Sequence, residues 1–171
     1  MTGITRMNHA VLYVRDADRH AAFYREVLGF SEVTRMAMGG GRSGVFMKAP
    51  GSSNDHDIAF FGLGPQLGGS TAGRDQVGLY HLAWEVPTLG DLRDHATRLS
   101  AAGALHGASD HGTTKALYGR DPDGLEFEVS WIVPVELLDG DGDEPTIAPL
   151  DLEAEIARFG ADRRGQVTAP V

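Results

Sequence analysis

An internal repeat constrains the fold of this chain more than any other feature of its sequence. The first copy consists of five predicted elements, a strand over 8–14, a helix over 17–28 and strands over 30–36, 43–48 and 57–61. The second copy repeats that order with a strand over 79–86, a helix over 89–102 and strands near 105–108, 114–118 and 125–131. Because about fifty residues seldom bury a stable core alone, the two copies must fold together. The repeat predicts an α+β fold of two βαβββ modules that share one sheet or barrel.

Glycine-rich sequence separates the two copies. The linker over 62–78 divides module one (7–62) from module two (78–132). We therefore expect one domain over 1–133, in which both modules contribute to a common metal-binding cleft.

The remaining residues, 134–171, form an acidic C-terminal extension. Eight acidic residues and no lysine or arginine lie over 134–157, whereas the whole chain has a net charge of −9. Such a charge run is typical of a solvated face, so we expect no role for it in the chemistry. Within it, 150–159 predicts one short helix.

Composition excludes several functional classes. No stretch approaches the roughly 18 apolar residues of a membrane span, and the first eight residues lack a signal-peptide core. The acidic net charge argues against a nucleic-acid partner, which requires a basic face. The chain has no cysteine, so any metal must be held by nitrogen and oxygen. We expect a cytoplasmic protein with neither a membrane nor a nucleic acid as partner.

The side chains that could carry chemistry fall on matching strand faces. His9 and His81 lie near the start of the first strand in their respective copies. In the last strand, Glu126, Glu128 and Ser130 alternate with apolar residues that must pack against helices. The polar face therefore faces a cavity, where a charged Glu128 must be paired or bound to a metal. Two imidazoles and one carboxylate are the donor set that leaves open coordination positions on iron(II).

A second interpretation of these three residues involves no metal. Each histidine can be a hydrogen-bonded core residue, with Glu128 at a wet sheet edge. Of the other histidines, His20 and His95 lie on the predicted helices, where we expect surface positions. His106 precedes a turn glycine and is expected to be structural.

The stretch over 111–128, HGTTKALYGRDPDGLEFE, is the most specific motif in the chain. It resembles the signature of the extradiol ring-cleavage dioxygenases, which belong to the vicinal oxygen chelate superfamily. That signature runs from a histidine through an aliphatic residue and a tyrosine to a proline turn and a glutamate. Ser109, two residues before the histidine, departs from the pattern. The resemblance to the superfamily covers roughly residues 7–132.

The resemblance implies a role for each matching residue. His9, His81 and Glu128 correspond to the metal ligands, His111 to the histidine near the oxygen site, and Tyr118 to the tyrosine that hydrogen-bonds the substrate. The implied ion is Fe(II), with Mn(II) or another divalent metal as an alternative. The implied partners are a small aromatic diol and dioxygen, and we expect a homo-oligomer.

His56 has two possible roles. It resembles the acid/base histidine of the family, and a histidine with a pKa near neutral suits removal of a catechol proton. It also lies 47 residues after His9, the same spacing as His81 to Glu128, so repeat symmetry makes it a possible fourth ligand. In glyoxalase-type members the fourth ligand is a glutamate in this strand, where only Asp57 is available. We favour the acid/base role.

Three functions are compatible with this set of residues. The His111 and Tyr118 pair favours extradiol (meta) cleavage of a catechol in the catabolism of aromatic compounds. A metal-dependent glyoxalase or thiol transferase of the same superfamily is the first alternative. A non-catalytic protein that binds a drug or another small molecule is the second.

Overall fold

The computed structural model describes residues 3–70, 72, 75–138 and 146–166. They form two compact units, Met1–Ser70 and Thr71–Val171. Each unit contains one sheet, so each predicted module has a sheet of its own.

The first unit has the predicted order of one strand, one helix and three strands. Its elements are β1 (Ala10–Val14), α1 (Ala17–Glu26), β2 (Ser31–Gly39), β3 (Arg42–Lys48) and β4 (Ile58–Gly62). The strand order in the sheet is β1-β4-β3-β2, with β1 parallel to β4 and the other pairs antiparallel. His9 therefore precedes β1 rather than lying within it.

Helix α1 begins at the predicted cap. The Asp16 carboxylate accepts hydrogen bonds from the backbone N–H groups of Asp18 and Arg19. The prediction that His20 lies at the surface is wrong, because this side chain is fully buried beside Phe60. Ala17, His20, Ala21 and Tyr24 share the i, i+3, i+4, i+7 stripe that packs on the sheet.

The second unit repeats the same topology. Its elements are β5 (His81–Glu85), α2 (Leu89–Ala101), β6 (Leu105–Asp110), β7 (Thr114–Arg120), β8 (Glu126–Ile132), β9 (Ala148–Pro149) and α3 (Leu152–Phe159), with a 3-10 turn at Val135–Leu137. The strand order is β5-β8-β7-β6-β9. The first four strands have the same order as β1-β4-β3-β2, which confirms the two βαβββ modules.

Alternation along β8 separates an apolar face from a polar face. Phe127, Val129 and Trp131 are buried, whereas Glu126 and Glu128 are half-buried on the opposite face. Helix α2 contacts β8, and its N-terminus is closed by a capping box between Thr88 and Asp91. The apolar face of β8 is thus the buried one, as the alternation in the sequence predicts.

The C-terminal extension belongs to the second unit and packs against its sheet. The predicted helix over 150–159 is confirmed as α3, and β9 adds a fifth strand beside β6. The Trp131 indole N–H donates to the Arg163 carbonyl oxygen at 3.1 Å. Residues 139–145, which carry half of the acidic residues of the predicted run, lie outside the described residues.

None of the helices in the described residues is both long enough and apolar enough to cross a membrane.

Candidate functional site

Two predicted ligands meet on the polar face of the second sheet. His81 is the first residue of β5, and Glu128 lies on the parallel neighbour β8. The His81 imidazole Nε2 is 3.2 Å from Glu128 Oε2, and their side chains are 25% and 12% exposed. The two donors converge because side chains two residues apart along a strand point to the same face. The His81 Nδ1 atom is buried without a hydrogen-bond partner.

Tyr118 lies directly opposite Glu128, in the adjacent antiparallel strand β7. Its ring centroid is 5.8 Å from that of His81. Burial raises the pKa of Tyr118 to about 12, and the negative charge of Glu128 adds to the effect. The phenol therefore stays protonated at neutral pH and can act as a hydrogen-bond donor.

His111 contacts Tyr118 from the turn between β6 and β7. Its Nε2 lies 2.8 Å from the Tyr118 hydroxyl oxygen, and its Nδ1 lies 2.8 Å from the backbone carbonyl oxygen of Thr146. A carbonyl can only accept, so the proton on the neutral ring is assigned to Nδ1. Neutral His111 is then left with a lone pair on Nε2, directed at Tyr118.

A separate aromatic cluster carries the two predicted site histidines of the first unit. The ring centroids of His9 and His56 are 4.4 Å apart, and Phe46 contacts His56 edge-on at 5.1 Å. His9 is exposed, and its Nδ1 is 2.6 Å from the Asn8 side-chain oxygen. The His56 Nε2 atom is buried and has no hydrogen-bond partner. One nitrogen of His56 is therefore available for a proton or a ligand.

The register of each unit bears on the role of His56. If His9 and His81 are aligned, Ala10 paired with Ile58 corresponds to Leu82 paired with Phe127. The position that matches Glu128 is then Ala59, a buried residue in β4. His56 precedes β4 altogether, so equal spacing in sequence does not give it the position of Glu128.

The Asp57 carboxylate stabilises the turn in which it lies. Its carboxylate accepts hydrogen bonds from the Ala49 backbone N–H (2.8 Å), the Ser52 hydroxyl (2.6 Å) and the Asn54 amide (2.8 Å). A carboxylate with these partners holds the β3–β4 connection in place. It would have to give them up to bind a metal.

Nitrogen and oxygen donors that converge, together with unpartnered buried ring nitrogens, fit a divalent cation of the borderline class. Across the described ranges, no group of three or more His, Asp or Glu side chains is already gathered around a cation position. The groups observed are pairs, His81 with Glu128 and His9 with His56.

Sequence reasoning missed two partners of the site. The Thr146 carbonyl was unpredictable because a backbone group carries no residue signal. The other is Arg120, which donates to Glu126 at 3.0 Å and to His106 at 3.2 Å on the same face of the sheet. The alternation of β7 could have indicated it, since Arg120 lies two residues after Tyr118.

Comparison with known proteins identifies the family of this double module. Residues 6–129 match the model of the Glyoxalase/Bleomycin resistance protein/Dioxygenase superfamily. The chain belongs to this superfamily. The membership confirms the resemblance of the 7–132 region and the paired βαβββ architecture.

Among curated proteins, this superfamily member is similar to biphenyl-2,3-diol 1,2-dioxygenase 3 of Rhodococcus globerulus. The two are 35% identical over 132 residues, which cover 75% of this chain and 64% of the relative. The match thus spans somewhat less than two thirds of the relative's length.

Solved structures show the same fold. A glyoxalase/bleomycin resistance protein/dioxygenase domain from Frankia sp. EAN1pec is 26% identical, with a TM-score of 0.57 over 76% of this chain and 91% of that one. The fosfomycin resistance protein FosX of Listeria monocytogenes, solved with Mn(II) and a sulfate ion, is 18% identical, with a TM-score of 0.56 over 78% and 97%. At that identity the likeness to FosX concerns the fold alone.

Proposed function

We propose that this protein is an extradiol dioxygenase, which cleaves a catechol-type ring beside its two hydroxyl groups with dioxygen. The observation that carries the proposal is the chain of polar contacts from His81 through Glu128 and Tyr118 to His111. It combines two metal donors and a protonated phenol on one sheet face with a histidine whose Nε2 contacts that phenol. The 35% identity to a biphenyl-diol dioxygenase supports the same reaction class.

Under this proposal, His9, His81 and Glu128 hold the metal ion, with Fe(II) as the first choice and Mn(II) or another divalent metal as alternatives. Bound there, the ion supplies open coordination positions for the two catechol oxygens and for dioxygen. Two neutral imidazoles and one carboxylate leave the divalent site with a single positive charge. That charge favours a catecholate over a neutral phenol.

Tyr118 and His111 donate or accept hydrogen bonds around the substrate. Because its pKa is about 12, the Tyr118 hydroxyl stays protonated, and on substrate binding it can redirect its one proton from His111 Nε2 to a negatively charged substrate oxygen. His111 can take up a proton only at Nε2, since Nδ1–H is held by the Thr146 carbonyl. Once protonated, the same Nε2 becomes a donor beside any negative charge that develops on the oxygen side of the site.

His56 accepts the proton that a catechol must lose on binding. Its unpartnered Nε2 can take that proton, and the contacts with His9 and Phe46 fix the ring plane. The register comparison supports this acid/base role over a fourth-ligand role, because Ala59 occupies the position equivalent to Glu128. The hydrogen bonds of Asp57 likewise argue against a fourth carboxylate ligand of the glyoxalase kind.

Anaerobic reconstitution with Fe(II), followed by addition of 2,3-dihydroxybiphenyl or 3-methylcatechol in air, tests the proposal. A yellow ring-opened product is expected from wild type. Its absence with fully loaded protein and a panel of catechols would refute ring cleavage. Tight binding of the aromatic compound without turnover would instead indicate the small-molecule binding alternative.

A further inference from the structure

A backbone carbonyl of the C-terminal extension contacts a histidine of the candidate site. The Thr146 carbonyl oxygen accepts the His111 Nδ1–H at 2.8 Å, and the His111 ring contacts Tyr118 at its other nitrogen. This acceptor comes from 35 residues along the chain and lies outside the two βαβββ modules. Among the described residues, the Thr146 carbonyl is the hydrogen-bond partner of His111 Nδ1.

The second sheet holds the residues that follow Thr146. Immediately after it, β9 pairs with β6, with Ala148 opposite Asp110 and Pro149 opposite Ser109. Asp110 is itself the residue before His111. The same two-residue strand therefore aligns the donor ring and its acceptor.

A buried lysine connects helix α3, which follows β9, to the second sheet. The Lys115 ammonium is only 3% exposed and lies 2.6 Å from Asp110 Oδ1 and 3.1 Å from Glu155 Oε2. Burial acts to raise the pKa of Asp110, but hydrogen bonds from Lys115 and the Gly112 N–H outweigh it, so the pKa is lowered. One lysine thus joins β6, β7 and α3 through two carboxylates, and Glu155 is not part of a solvated face.

We propose that the segment 146–155 is a positioning strap, which holds His111 in the Nδ1–H tautomer so that Nε2 faces Tyr118. The inference rests on the proposed function for its effect on turnover, but not for its effect on the ring. Without the strap, water can hydrogen-bond to either ring nitrogen, and the proton is free to move to Nε2. In that tautomer His111 can no longer accept from Tyr118. Thr146, Ala148 and Glu155 are positioning residues in this account, since each of them acts through His111.

The test compares Glu155→Ala with Glu153→Ala in the full-length chain. Both remove one carboxylate from α3, but Glu153 is exposed, whereas the Glu155 side chain is 14% exposed and paired with Lys115. Nitrogen NMR of histidine-labelled, metal-free protein reports the His111 tautomer, with a His111→Gln sample for assignment. Hydrogen exchange at Ala148 reports release of the strap. Turnover is measured separately on the iron-loaded enzyme.

Glu155→Ala should speed exchange at Ala148, shift His111 away from the pure Nδ1–H tautomer and lower kcat about 10-fold with KM changed less than about 2-fold. Glu153→Ala should change none of these. Glu155→Gln, whose amide oxygen can lie against the Lys115 ammonium, should restore most of the wild-type behaviour. If Glu155→Ala does not fold, Ala148→Pro releases β9 instead, because proline removes a backbone donor at an exposed position.

A strap that opens while His111 keeps its Nδ1–H tautomer and its turnover would overturn the proposal. An Ala148 amide that stays protected in Glu155→Ala would overturn the role of the ion pair. If wild type cleaves no catechol but the tautomer still shifts in Glu155→Ala, the strap stands and the proposed function fails.

Discussion

The Tyr118 hydroxyl oxygen lies 2.8 Å from His111 Nε2, and Tyr118 lies directly opposite Glu128 in the sheet. This contact links the turn after β6 to the polar face of β8. The Tyr118 hydroxyl stays protonated at neutral pH, because its pKa is raised to about 12. With the His111 proton held at Nδ1 by the Thr146 carbonyl, the hydroxyl is the donor in this contact and His111 Nε2 is the acceptor.

Tyr118→Phe should change how the stability of the folded protein depends on pH under alkaline conditions. The pKa of tyrosine is near 10 in the unfolded chain and about 12 here, so the folded state favours the protonated form. The stabilisation of the folded state that comes from this raised pKa is fully present below about pH 10 and is lost as the pH rises through about 12. The melting temperature of wild type should therefore fall more steeply than that of Tyr118→Phe over this range.

Tyr13→Phe is the matched control for the alkaline experiment, because Tyr13 is 69% exposed in the first unit. It should follow the wild-type curve. Parallel curves for wild type and Tyr118→Phe would contradict the proposed environment of Tyr118.

His81→Ala and Glu128→Ala should each abolish binding of one divalent metal per chain. Removal of a ligand from a three-ligand site should weaken metal binding by far more than the roughly 10–100-fold loss typical when a residue that hydrogen-bonds to a ligand is replaced. Metal content after dialysis, measured by atomic emission, checks this. Glu126→Ala is the control, since Glu126 lies on the same strand and face but pairs with Arg120. Full metal occupancy in either ligand variant would end the proposed ligand set.

His56→Phe should keep its metal and lose turnover by about 10²–10⁴-fold, the usual cost of a missing general base. The deficit should shrink as the pH rises towards the catechol's own pKa, because the substrate then arrives ionised. Metal content and a pH–rate profile for wild type and variant are the two measurements. Loss of the metal would make His56 a ligand, and a wild-type rate would remove it from the site.

Truncation after Val133 tests the predicted domain boundary. We expect residues 1–133 to fold, since both sheets keep their first four strands, but with reduced stability. The buried Trp131 indole loses its acceptor on Arg163, a loss of about 1–3 kcal/mol, and Lys115 loses Glu155. Thermal unfolding monitored by circular dichroism gives the comparison. Insoluble protein at several temperatures would place the extension within the core.

The repeat made the fold predictable because both period-2 strands and capped helices leave local signals. Asp16, Gly29 and the alternation of β8 were each visible in the sequence and are each present in the structure. The surface position predicted for His20 was wrong, because the prediction relied on the polarity of the side chain and not on the apolar helix face on which it lies. Its Nδ1 lies 2.9 Å from the Asp16 carbonyl oxygen, so that ring nitrogen can be satisfied within the helix.

The extension was harder to predict because its contacts are not local. A strand of two residues has no period, and nothing in the sequence around Lys115 shows that it is buried between Asp110 and Glu155. Charge composition alone made the whole segment look solvated. The residues of the site could be chosen from sequence, whereas the Thr146 carbonyl that orients His111 required the structure.

Dioxygen labelled with ¹⁸O tests the central claim most directly. Iron-loaded protein should consume one molecule of O2 for each molecule of 2,3-dihydroxybiphenyl, and mass spectrometry should find both labelled atoms in the freshly formed ring-opened acid. Metal-free protein and Glu128→Ala should consume none. A loaded wild-type protein that takes up no oxygen, or a product that carries no label, would contradict the account.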